Sequence, residues 1–70
     1  MNSNRKWIER NRKELTEKYP NKVVVVVGQA VVRVFEPSET DVLQINRLGR
    51  ELSQGGEWAY TTLSTAKGLL

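Results

Sequence analysis

Three carboxylates, Glu36, Glu39 and Asp41, fall within six consecutive positions, near enough in sequence to share a divalent cation or to divide acid and base roles between them. The same six residues, EPSETD, also have the form of a helix start. Ser38 with Asp41 three positions on resembles a capping box, and acids there complement the positive end of a helix dipole. The helix start accounts for these carboxylates without a reaction. Ser64 and Thr65 become nucleophiles only beside a base, and the chain has no histidine or cysteine to act as base, thiolate or zinc ligand. Gly55 and Gly56 follow a helical stretch and do not open one, so they read as a helix stop and not as a phosphate cradle. No catalytic residue, cofactor, metal or small-molecule substrate is expected, and the function class that remains is binding.

Two sets of residues could carry binding. The first is an apolar patch with one cation, Val24, Val26, Val31, Arg33 and Phe35, expected on the open face of a β-hairpin. Contiguous apolar surface is uncommon on monomeric proteins, and Arg with aromatic residues is favoured at interface centres. A protein interface is therefore the leading expectation, with self-association into a homodimer its simplest form and a different protein partner the other. Cover by the C-terminal segment ending Gly68-Leu69-Leu70 is the competing account. The second set is Trp58 and Tyr60 with Lys22 and Arg33, an aromatic and cationic platform for single-stranded nucleic acid, with Arg47 and Arg50 reaching phosphates. The two aromatics could equally pack beneath the helices.

The elements that must position these residues follow from periodicity. Trp7, Ile8, Leu15 and Tyr19 gather in one sector of a helical wheel, which predicts a helix over 4–18 capped by Ser3 or Asn4 and stopped before Pro20. Its charges, Arg5, Lys6, Glu9, Arg10, Arg12, Lys13, Glu14 and Glu17, are mixed around the wheel and read as a solvated face with partners three and four apart. The runs KVVVVV and AVVRVF flank Gly28-Gln29 and predict strands at 22–27 and 30–35 joined by a type II′ turn. That turn pairs Val26 with Val31, Val25 with Val32, Val24 with Arg33 and Val23 with Val34. Val42, Ile45, Leu48 and Leu52 predict a second helix over 39–53, with Gly49 as a weak point or close-packing site. The alternation in EWAYTTL predicts a third strand over 57–63, and 65–70 should form a loose tail.

The fold class expected is α+β, one small domain in the order α-β-β-α-β. The five-valine strand should be central, in a sheet of order 2-1-3, because it lacks the alternation of a half-exposed strand. Both helices are expected on one sheet face, over the small side chains. Eleven Lys and Arg against eight Asp and Glu leave a formal net charge of +3, a mild bias toward polyanions. The opening residues contain no apolar run of signal-peptide form, and the valines fall far short of the roughly 20 residues that span a bilayer. A soluble, cytoplasmic protein with no membrane partner is expected.

The pattern W-I-x6-L-x3-Y-P-N-K, formed by Trp7, Ile8, Leu15, Tyr19, Pro20, Asn21 and Lys22 and followed by a hairpin, resembles a family of small archaeal and bacterial domains of unknown function. The likeness covers residues 7–34. Asn21 stands where the family usually has Gly, Val23 where an aromatic is common, and Gly28-Gln29 in place of Asp-Gly. The resemblance implies a helix, a hairpin, a further helix and a last strand, in a prokaryotic protein. It implies no catalytic or ligand residues.

Overall fold

The structure, a computed structural model, describes residues 2–64. The predicted tail at 65–70, including Thr65, lies outside the described residues. The first helix, α1 (Ser3–Lys18), begins one residue earlier than its periodicity suggests because Asn2 is the cap. The Asn2 side chain accepts hydrogen bonds from the backbone N–H groups of Asn4 and Arg5. Asn4 is instead a buried tie, 3% exposed, whose Oδ1 accepts from the Gln29 backbone N–H at 2.8 Å. It fixes the helix to the hairpin turn. At the other end Tyr19 leaves helical geometry ahead of Pro20, while its N–H still closes the last turn on the Leu15 carbonyl.

The hairpin joins β1 (Val23–Val26) to β2 (Val31–Phe35). Gly28 and Gln29 both have positive φ, +63° and +58°, so the turn is of the I′ kind and not the predicted II′. The predicted pairing holds at Val26 with Val31 and then slips. Val25 pairs Arg33, Val24 pairs Val34 and Val23 pairs Phe35, because Val32 is the extra residue of a β-bulge. From the bulge onward every β2 side chain takes the face opposite to the one expected.

The third strand, β3 (Ala59–Thr62), runs antiparallel to β1, with Val26 opposite Ala59 and Val23 opposite Thr62. The sheet order is β2-β1-β3, so the valine strand is central as its composition predicts. The expectation of two helices on one face is corrected. Ile8 and Leu15 of α1 pack with Val24, Val26, Ala59 and Leu63, while Ile45 of α2 (Val42–Leu52) packs with Val23 and Val25 on the opposite face. A strand apolar on both sides needs a cover on each, and one helix serves each side.

The second helix is capped by Asp41, whose Oδ1 accepts from the Gln44 N–H at 2.9 Å; Ser38 sits in a short 3-10 turn, Pro37–Glu39, instead of capping. Ile45 is buried, Leu48 and Leu52 are half-buried, and Val42 is exposed. The helix ends in paired 5→2 and 6→1 bonds, Gln54 N–H to Glu51 O and Gly55 N–H to Arg50 O, both 3.1 Å. This places Gln54 at φ +54°, where a Cβ is costly, as it is for Gln29. Replacing either glutamine by Gly should stabilise the domain by about 0.5–1 kcal/mol, read as a thermal midpoint a few degrees higher. An unchanged or lower midpoint in both variants would mean that neither position is strained.

Candidate interaction surface

The bulge divides the predicted interface between the two sides of the sheet. Val24 and Val26 are 0% exposed beneath α1, and Val31 is half-buried against the same cluster. Arg33, opposite Val25, and Phe35, opposite Val23, share the α2 side, where Phe35 is half-buried and Arg33 exposed. The open apolar hairpin face therefore does not form.

The alternative, nucleic-acid set is also dispersed. Trp58 and Tyr60 stack on each other, centroids 6.1 Å apart and planes at 25°, but both are half-buried on the side that α2 covers. Gly49 lets the helix rest on the indole: a Cβ there would overlap Cδ2, Cε3 and Cε2 of Trp58. Arg33 lies in the same cross-strand row as Tyr60, with Val25 between them. Arg47 and Arg50 are exposed on α2. Lys22 is on the other side, at the end of β1, and its Nζ is ion-paired with Glu36. That pair and the Asp41 cap occupy two of the three carboxylates with structural roles, and among the described residues no group of three His, Cys, Asp or Glu could hold a metal ion.

What stays open is an edge. β3 and the residue before it are tied to α1: Asn2 Nδ2, from the helix cap, donates to the Trp58 carbonyl at 2.8 Å, and Arg12 Nη2, from mid-helix, to Thr61 Oγ1 at 3.3 Å. β2 has β1 on one side and, among the described residues, no strand on the other. Its three middle residues are exposed, with Val32 and Val34 each at 38%. The sequence held a signal for this: a cation inside a β-branched run, as Arg33 is, marks an edge strand more often than a covered one.

The charged face of α1 also differs from expectation. Among the described residues it forms one internal ion pair, Arg12 Nη2 with Glu9 Oε2 at 3.1 Å, and the Arg12 hydrogen bond holds the Glu9 carboxyl below its usual range. Lys6, Arg10 and Lys13 are exposed and in no ion pair among these residues. No helix among the described residues is long and apolar enough to cross a membrane. Compared with known proteins, the chain matches no family model, no curated protein and no solved structure.

Proposed function

We propose that the protein is a non-catalytic association module that pairs with a second copy of itself through the outer edge of β2. The observation that supports this most directly is the exposed, unpaired β2 edge, with Val32 and Val34 uncovered beside it. Unsatisfied strand edges are templates for another strand, and the backbone supplies the bonds while side chains set the register.

Side-chain parity narrows that register. A two-fold axis perpendicular to the sheet sets residues of the same face opposite one another. Centred on Arg33, it would place two guanidinium groups face to face, which is unfavourable. Centred on Val34, it pairs Val34 with its own copy and brings each Arg33 opposite Phe35 of the second chain, where a cation can sit against an aromatic ring. The product is a continuous six-stranded sheet with the bulge of each chain at its flank. The half-buried positions of Trp58 and Tyr60 beneath α2 favour this reading over base stacking.

Sedimentation equilibrium over a wide concentration range at physiological salt tests the proposal. The wild-type chain should be a dimer, and Val34→Lys, which places a charge at the centre of the pairing, should be a folded monomer. A wild-type monomer at high concentration, or a Val34→Lys dimer as tight as wild type, overturns it.

A further inference from the structure

We infer that the outward ridge of α1, built from Lys6, Arg10 and Lys13, docks against the phosphate backbone of duplex nucleic acid without reading its sequence. This rests on α1 alone and is independent of the β2 edge. The helix holds six cations and three acids, a surplus of three that equals the formal net charge of the whole chain. The rest of the molecule is electrically balanced, so the field that a polyanion meets comes from this one element.

The cations are also placed against the helix's own preference. The first turn of α1 has no acidic residue and carries Arg5 and Lys6, at the end where the backbone dipole is already positive. An acid there would stabilise the helix, and a cation costs it. The acid at this end comes from another element, the Glu57 carboxylate, which accepts from the Ser3 N–H at 3.2 Å; Lys6 forms no ion pair among the described residues, and Glu9 is turned to Arg12.

The shape of the ridge selects the partner. Lys6, Arg10 and Lys13 are spaced i, i+4, i+7, on the side of the helix away from the buried Ile8 and Leu15. They span about 10 Å of helix at 1.5 Å per residue, enough to face several phosphates of a duplex, which carries a charge every 1.7 Å or so of its axis. Arg5, Lys6, Glu9, Arg10 and Lys13 are all exposed and charged, so this face offers no apolar surface to enter a lipid layer and no aromatic ring to stack on single-stranded bases. A rod of phosphates is the ligand that fits.

The test is fluorescence anisotropy of a labelled 20-base-pair DNA duplex, titrated with wild-type protein, Lys6→Glu and Lys13→Gln across a salt series, with thermal melts of each protein alongside. Wild-type binding should be weak, with Kd on the order of 10⁻⁴ M at low salt, and log K should fall against log salt with a slope of about −3. Lys13→Gln should flatten that slope by about one. Lys6→Glu should weaken binding about tenfold while the melting midpoint holds or rises, since Glu is favoured in a first turn and gains Arg10 four residues on. Loss of affinity with a rising midpoint separates a binding role from a structural one. The inference is overturned by no duplex binding at low salt, by wild-type affinity in Lys6→Glu, or by an unchanged slope in Lys13→Gln. Tighter binding to the single strand, or to phosphatidylserine vesicles, also overturns it. Repeating the titration with Val34→Lys keeps the result apart from the oligomeric state.

Discussion

Gly49→Val should cost about 3 kcal/mol of folding stability, measured by urea denaturation, even though it removes a glycine from the middle of a helix. Two effects compete. Glycine in a helix interior is about 1 kcal/mol worse than alanine, so Gly49→Ala taken alone as a backbone change stabilises. Against this, the three nearest atoms to the new Cβ all belong to the Trp58 ring, which is rigid and held in a stack with Tyr60. Overpacking of this kind costs about 1–3 kcal/mol and sometimes more, so the clash should prevail for Ala and more clearly for Val. The pair should also be coupled: in a Trp58→Ala background Gly49→Ala should become neutral or stabilising. A Gly49→Ala variant that is more stable than wild type with Trp58 present would sink the account of how α2 is seated.

The second large effect is expected on the other side of the sheet. Ile8 is fully buried, in one cluster with Val24, Val26 and Leu63, and Ile8→Ala should destabilise by about 2–5 kcal/mol. Domains of this size hold roughly 0.05–0.15 kcal/mol per residue, so that loss takes most of the margin. Circular dichroism at 25 °C should show a largely unfolded chain, whereas Ile8→Val, at about 0.5–1.5 kcal/mol, should remain folded with a lower midpoint. Equal stability of the two variants would mean that the cluster tolerates a cavity at α1 and that the helix is held chiefly by its polar ties at Asn2 and Asn4.

The element order and the central place of β1 were legible because they depend on patterns that survive without tertiary context: the sector of Trp7, Ile8, Leu15 and Tyr19, the two β-branched runs, and the unbroken valines. The Gly28-Gln29 hairpin was legible for the same reason. The bulge was not. Val32 is one valine among several, no Gly or Pro marks it, and the choice between a bulge and a regular ladder depends on tertiary packing, here that of Phe35 against the cluster of Val23, Val25 and Ile45. That single extra residue moved Arg33 and Phe35 away from Val24 and Val26, and the predicted site dissolved with it. The placement of the helices depends on a different signal. Five consecutive valines already indicate cover on both faces, and two helices were at hand to supply it; reserving one face for an outside partner left α2 on the wrong side. Gly49, by contrast, was recognisable as a close-packing position before Trp58 could be seen against it.

The sandwiched strand bears on the life of the chain outside its folded state. VVVVVGQAVV is a β-branched, uncharged, proline-free segment of the kind that stacks into cross-β assemblies once released. In the folded domain its first four valines are the inner strand β1, with β2 and β3 on its margins and a helix over each face, so no neighbouring chain can reach the backbone of that part. Exposure of these valines then depends on how briefly the molecule opens. Variants such as Ile8→Ala should accordingly precipitate irreversibly at concentrations where the wild-type chain stays in solution.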